Sequence, residues 1–339
     1  MSGIVAALHK LILNRPDQHQ PFNHSAIQSF NIKMTRRDFM NTATAAGVLT
    51  TFESIADANK AAVQFDNKLS LKVLGTNWGF KGTTDQFCEA VKKEGYDGIE
   101  MWWQGSKDKQ KELFDALKRH NLEVGFLCGS GEKDYRTHLN AFKSQIDAAT
   151  TQWPVKPLYI NCHSGRDHFT YEQNKAFIDH TTEASTKSGI PIYHETHRGR
   201  MLFAAHIARN FIEKNPALRL TLDISHWCNV HESLLQDQEE TVQLALARVG
   251  HIHSRVGHEE GPQVNDPRAP EWEAAVKAHL AWWDKVVEYK VKSGETLTVL
   301  TEFGPPNYQP TVPFTHQPLS DQWGINVHMM HLLRKRYLK

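Results

Sequence analysis

The chain has 339 residues, with 39 Lys+Arg against 38 Asp+Glu, 40% hydrophobic and 23% charged residues. That balance belongs to a globular protein and excludes a disordered, collagenous or coiled-coil chain. A mean hydropathy of −0.53, with no apolar run of roughly 18 residues, excludes a multi-span membrane protein. A formal net charge of +1 argues against a broad basic nucleic-acid surface. The four cysteines, Cys88, Cys128, Cys162 and Cys228, form no Cys-x-x-Cys pair, so neither a zinc ribbon nor a thioredoxin-type motif is expected. The prominent residues are 20 His and 9 Trp, a composition that often accompanies a metal or sugar site.

The N-terminal segment reads as an address. Residues 35–40 are TRRDFM, followed by the small, weakly apolar run from Thr42 and then Ala56-Asp57-Ala58. Two arginines, an aromatic residue shortly after, a weakly apolar stretch and small residues at a cleavage site are the pattern of a twin-arginine export signal. Met34 stands directly before it and is read as the true start. Residues 1–58 are therefore assigned to an extension and signal peptide, and 59–339 to the mature domain. Without residues 1–58, which carry five basic and four acidic residues, each sign of charge numbers 34. The expected location is periplasmic, reached through the twin-arginine translocase.

From residue 71 onward, β-rich runs alternate with amphipathic stretches. Strands are expected at 71–78, 98–103, 123–128, 157–163, 190–197, 218–224, 250–256 and 296–303. Helical periodicity places Phe87, Ala90 and Val91 on one face of 84–94, and Leu113 with Leu117 on one face of 107–120. Over 271–291 the corresponding face holds Trp272, Ala275, Val276, Leu280, Trp283, Val286 and Val287. Gly95, Asn121, Gly189 and Gly294 fall where helices should stop. Regular strand-helix alternation of this length implies a single-domain α/β protein, a (β/α)8 TIM barrel. A doubly wound sheet would show a glycine-rich phosphate loop after its first strand, and Thr76-Asn77-Trp78-Gly79 is not one.

Polar residues gather where the last four strands end: His194-Glu195-Thr196-His197, Asp223-Ile224-Ser225-His226, His251-Ile252-His253-Ser254-Arg255 and Thr301-Glu302-Phe303-Gly304. Charges inside a barrel cost several kcal/mol unless paired or metal-bound. Three carboxylates and an imidazole at one mouth point to a divalent cation with a mostly oxygen donor set, Mn²⁺, Mg²⁺ or Co²⁺ ahead of a structural zinc.

At these residues the sequence resembles the xylose-isomerase-like barrel superfamily, which includes ketose 3-epimerases, inosose dehydratase and the endonuclease IV group. The resemblance spans roughly residues 70–335. It implies metal ligands Glu195, Asp223, His253 and Glu302, with His226 of the Asp-x-x-His pattern on the substrate. It implies one divalent cation, Mn²⁺ first, with Mg²⁺, Co²⁺ or Zn²⁺ as alternatives. One departure stands out: where the epimerases carry a substrate-binding arginine six residues after the strand-7 histidine, this chain has Glu259, and its nearest arginine, Arg255, is taken as substrate-binding.

Each residue has a plainer alternative. Glu195 and Glu302 could pair with Arg198 or Arg200, and Asp223 could cap the next helix. His251 and His253 share a strand face; His253, nearer the strand end, is taken as the ligand. His197 is assigned to substrate against a loop hydrogen bond, and His163 to substrate against a structural role. His194 should pack under a helix. In the Trp102-Trp103 pair, Trp103 is taken as the sugar-stacking residue. Arg166, Asp167 and His168 read as loop polar groups.

The expected chemistry is removal of a C–H proton next to a carbonyl in a non-phosphorylated sugar, with Glu195 and Glu302 relaying protons. Returning the proton gives isomerisation or epimerisation; expelling a β-substituent gives dehydration or β-elimination. The expected partner is a small-molecule sugar, with no nucleic acid and no membrane span; homo-oligomerisation stays open. A nuclease on this fold, or a silent carbohydrate-binding barrel, would be told apart by metal content.

Overall fold

The computed structural model describes residues 69–151 and 153–338. The twin-arginine segment, Met34 and the cleavage site lie outside the described residues. Among those described, no helix is long and apolar enough to cross a membrane.

Eight parallel strands close into a barrel in chain order, β1 pairing with both β2 and β8. They are β1 Leu71–Thr76, β2 Gly98–Trp102, β3 Glu123–Gly129, β4 Ile160–His163, β5 Ile192–Glu195, β6 Leu220–Leu222, β7 Val249–His253 and β8 Leu297–Thr301. All eight expected strands form; β3 runs one residue past its expected end, and the other seven are shorter than their apolar patterns because the polar strand ends turn into loops. The helices between them are α1 Thr84–Glu94, α2 Lys107–His120, α3 Tyr135–Ala149, α4 Tyr171–Ser188, α5 Ala205–Lys214, α6 Ser225–Val230, α7 Glu239–Leu246, α8 Glu273–Ser293 and α9 Gln322–Tyr337. The expected stops hold: Gly95, Asn121, Gly189 and Gly294 adopt φ of 93°, 51°, 65° and 69° after α1, α2, α4 and α8. This left-handed geometry ends a helix by turning the chain back on its last carbonyls.

Two sets of apolar residues hold the barrel. The larger lies between strands and helices and includes Val73, Phe87, Ile99, Phe126, Ile160, Phe177, Trp227, Val287 and Met329. The smaller fills the inside with Leu74, Tyr159 and Leu300, packed against Leu158 and Tyr193. The tyrosines need room: a Cβ on Gly125 would come within 2.4 Å of the Tyr159 ring, and one on Gly250 within 2.2 Å of Tyr193. The Tyr159 ring stacks on His251 at 4.1 Å, and beyond this packed plug the inward-facing residues become polar.

Candidate active site and metal cluster

The strands that supply the site are short, so their last inward side chains meet at the C-terminal mouth, where barrels of this kind carry their chemistry. Glu195 ends β5, Asp223 follows β6, His253 ends β7 and Glu302 follows β8. His253 Nδ1 lies 2.9 Å from Glu302 Oε2 and 3.7 Å from Glu195 Oε1. Glu195, Asp223 and His253 each offer a ligand atom within 4.8 Å of the others. The four side chains implied by the sequence are thus brought together, all buried except Glu302, which is 12% exposed.

Each is held by neighbours. Asn161 Nδ2 donates to Glu195 Oε2 at 2.8 Å, and His163 Nε2 reaches the same oxygen at 3.0 Å. Burial would raise the Glu195 carboxyl, but the imidazoles of His163 and His253 outweigh it and hold the group well below the usual carboxylate range. The Asp223 backbone N–H donates to Thr196 Oγ1 at 2.9 Å, and its carboxylate accepts from Ser225 Oγ and Arg255. Burial pushes Asp223 up to about 6, with Arg255 opposing and Glu302 and Glu195 assisting. Asp223 does not cap α6, which has no side-chain cap. Neither glutamate pairs with Arg198 or Arg200; Glu302 faces Arg255 Nη1 at 3.4 Å instead.

Arg255 is 2% exposed and spans Asp223, Glu302 and His226, with Nη2 donating to His226 Nε2 at 2.9 Å. Its Nε lies 3.3 Å from Ser225 Oγ. Gly257, two residues on, lets the loop approach Ser225: a Cβ there would fall 2.7 Å from the serine Cβ. The expected substrate residue is therefore also a built-in cation among the carboxylates. His226 is fully buried, and burial with the nearby His197 and Arg255 pushes it well below 6.5. Its Nδ1 lacks a hydrogen-bond partner. With Nε2 accepting from Arg255, Nδ1 carries the proton and remains free to donate. The imidazole therefore stays neutral, because the guanidinium already occupies its basic nitrogen.

A cavity of about 420 Å³ opens over these residues, lined by Trp78, Trp102, His163, His197, Arg255 and Tyr308 among others. Tyr308 packs edge-on to Trp78 at 4.8 Å and under Arg255 at 4.8 Å. Trp78 fits because residue 304 is glycine; a Cβ there would lie 2.4 Å from its ring. His197 stands between His163 and His226, with ring centroids at 4.6 and 3.9 Å. A larger cavity, about 800 Å³, lies at the other mouth beside Ile192, Gly250 and Thr298. Of its charged residues, Lys72 and Lys290 are paired with Glu123 and Glu295 and Arg219 stands beside them, but it lies at the mouth opposite the strand ends that carry the chemistry in such barrels.

One sequence expectation changes, and one residue is added. Trp103 is 9% exposed and packs on Phe126 and Trp153 at 5.0 and 4.8 Å, whereas Trp102 is 45% exposed and lines the cavity. Strand parity is the reason: Glu100 points inward, so residue 102 shares its face and residue 103 points to the helices. Glu100 is the residue that sequence reasoning missed. It is 3% exposed, with Oε1 3.4 Å from His253 Nε2 and Oε2 3.4 Å from His251 Nε2. Burial would raise it, but the two imidazoles bring it down to about 2. The alternation of β2 was the available signal. His251, on the same strand face, lies with its Nδ1 2.8 Å from Thr298 Oγ1. His194 packs under α4, within 2.7 Å of Ser164 Oγ and 2.8 Å of Thr181 Oγ1.

The donor set fits a divalent ion. His253 Nδ1 and Glu302 Oε2 face each other at 2.9 Å without an aligned hydrogen bond, and Arg255 with a protonated His253 supplies two positive charges against the four carboxylates of Glu100, Glu195, Asp223 and Glu302. Such an excess of buried carboxylate is costly unless a cation neutralises it. An ion here would share Asp223 with the guanidinium.

Residues 88–260, about half the chain, match the xylose isomerase-like TIM barrel family, and the chain belongs to that family. Solved structures with this fold include 3-keto-D-glucoside 4-epimerase, YcjR, from E. coli in its apo form. It shares 15% identity over 78% of this chain and 99% of its own, with a TM-score of 0.50. Another is the IOLI protein with a binding zinc atom, at 15% identity over 79% and 100% of the two chains and a TM-score of 0.52. At this identity the likeness shows the fold. No curated protein matches the chain.

Proposed function

We propose that the protein is a divalent-metal-dependent sugar isomerase or epimerase that removes a C–H proton next to a carbonyl of a non-phosphorylated sugar. The observation that carries this reading is the placement of Glu195 and Glu302 on either side of His253 Nδ1, at 3.7 and 2.9 Å, with Asp223 beside them. Glu195, Asp223, His253 and Glu302 would hold the ion, Mn²⁺ first, with Mg²⁺, Co²⁺ or Zn²⁺ able to use the same donors. When bound, it supplies positive charge to the oxygen that becomes anionic as the C–H bond breaks.

The chain's own residues do the rest. Glu195, ionised and oriented by Asn161 and His163, accepts the proton. Glu302, at the opposite side and partly exposed, returns or exchanges it. His226 Nδ1–H and the Arg255 guanidinium donate to sugar oxygens, and Trp78 with Trp102 offers apolar walls to the ring. The reading is tested by incubating metal-loaded protein with free aldoses, ketoses and 3-keto-glycosides and resolving the products by NMR. An isomer of unchanged mass is expected. Loss of water or of an alcohol would instead assign β-elimination. Inertness toward every sugar, together with cleavage of abasic DNA, would replace the proposal with a nuclease.

A further inference from the structure

Two loops at the cavity mouth repeat one pattern. After β4 the chain reads His163-Ser164-Gly165-Arg166, and after β5 His197-Arg198-Gly199-Arg200. Both glycines are left-handed, with φ of 58° and 72°, and both histidines line the cavity. Gly165 is constrained twice over, because a Cβ would fall 2.0 Å from Asn174 Oδ1. Asn174 in turn fixes the Arg166 backbone, accepting from its N–H at 3.2 Å and donating to its carbonyl at 2.9 Å. The Met201 N–H donates to Ser164 O at 3.1 Å and joins the two loops.

The result is that two guanidiniums converge on consecutive carbonyls after β3: Arg166 Nη2 donates to Gly131 O at 3.0 Å, and Arg200 Nη1 to Ser130 O at 3.3 Å. Arg166 Nε is buried without a partner. Arg198, between them in sequence, donates to Asn229 Oδ1 at 3.1 Å and lies over Tyr308 at 5.1 Å. Among the described residues none of these three arginines forms an ion pair with a carboxylate. The nearby acids are engaged elsewhere: Glu195 with His163, and the exposed Asp167 with His168 at 3.1 Å. Burial and the neighbouring Arg166 lower Arg200, against the opposing pull of the Glu195 and Asp167 carboxylates. Guanidinium forks match planar or tetrahedral oxyanions.

We propose that the twin His-x-Gly-Arg loops form an oxyanion subsite at the cavity mouth, and that the sugar taken by this barrel carries an acidic group, a carboxylate or a sulfate ester, away from its reacting carbon. The second half rests on the isomerase reading above; the first does not.

The test starts with sulfate alone, titrated calorimetrically into metal-loaded protein at low ionic strength. One saturable site is expected. Arg166→Gln and Arg200→Gln should each weaken it about tenfold, and the exposed-surface control Arg136→Gln should not. Arg200→Lys, which keeps the charge and loses the fork, should retain part of the affinity, and it covers the case in which the Gln variants fold poorly. Absence of saturable sulfate binding, or equal binding in all variants, overturns the subsite. D-Glucuronate and D-glucose 6-sulfate are then compared with D-glucose, and preference for one acid names the oxyanion. Equal affinity for acid and neutral sugars overturns the substrate assignment. If sulfate binds as expected but no sugar is turned over, the isomerase reading fails and the subsite stands.

Discussion

Replacing Glu100 by Gln should weaken divalent-metal binding without touching any proposed ligand. The carboxylate stands 3.4 Å behind His253 Nε2, on the far side of the ring from Nδ1, which faces Glu302 and Glu195. A charged acceptor there holds a proton on Nε2 and leaves Nδ1 as the donor to the ion. Asn161 Nδ2, 3.1 Å from the same nitrogen, favours the opposite tautomer, but a neutral amide is outweighed by a carboxylate. Loss of such a partner typically costs 10–100-fold in metal affinity, about 1.4–2.7 kcal/mol. Because both imidazole contacts are 3.4 Å, longer than a tight hydrogen bond, the lower end is expected, roughly tenfold. There is a stability effect too. Glu100 is held near 2 against an ordinary 4.5, so its ionised form stabilises the fold by about 3 kcal/mol, to order of magnitude. A lowered carboxylate contributes fully above about pH 4.5 and loses its contribution as pH falls toward 2. The variant's deficit in thermal stability should therefore be present at pH 7 and shrink below pH 4.5. Metal affinity is read by competition with a chromophoric chelator at pH 7.5. Wild-type affinity in Glu100→Gln would refute the positioning role.

Four further outcomes are expected. Trp102→Ala should raise KM for sugar with little loss of stability, while Trp103→Ala should cost about 3–5 kcal/mol in denaturant unfolding, because it leaves a cavity against Phe126 and Trp153; equal effects on stability would contradict the facing. His226→Ala should keep its metal and lose about ten- to a hundredfold in kcat/KM, one charge-assisted hydrogen bond, and metal loss would place His226 among the ligands. The carboxylates Glu302, Glu195 and Glu100 overcome burial and raise His253 well above 6.5, so the metal-free imidazole is protonated at pH 7. Ion binding should then release about one proton, seen as a buffer-dependent calorimetric enthalpy, with affinity rising as pH rises; release of none would contradict this. We also propose export: Arg36→Lys with Arg37→Lys should trap unprocessed precursor in the cytoplasm, and normal processing of that variant would dismiss the signal.

The barrel was legible because its strands are short apolar runs alternating with amphipathic helices, and a left-handed Gly95 or Asn121 marks a helix stop in the local sequence. The quartet was legible for a related reason: a carboxylate at the end of a buried strand has few structural uses. Glu100 was hidden because it lies inside the run Gly98–Trp102, and its partners His251 and His253 are far along the chain. Which tryptophan faces the cavity follows from the two-residue alternation of β2, in which Trp102 shares the face of the inward Glu100 and Trp103 does not. Arg255 could be named from sequence, but not its bridging of Asp223 and Glu302, which depends on Gly257 closing against Ser225. Arg166 reads as an ordinary loop residue in the sequence because its neighbour Arg200 is 34 residues away along the chain and meets it only through the paired loops.

The most direct measurement is hydrogen exchange at carbon. Metal-loaded protein is incubated in D₂O with a panel of keto-sugars, and carbon-bound deuterium is followed by NMR for wild type, Glu195→Gln and Glu302→Gln. Deuterium next to the carbonyl is expected with wild type and should be abolished in both variants, since an amide cannot accept the proton. Exchange at the wild-type rate in both variants, or products formed by wild type with no solvent deuterium at carbon, would contradict proton abstraction by these two glutamates.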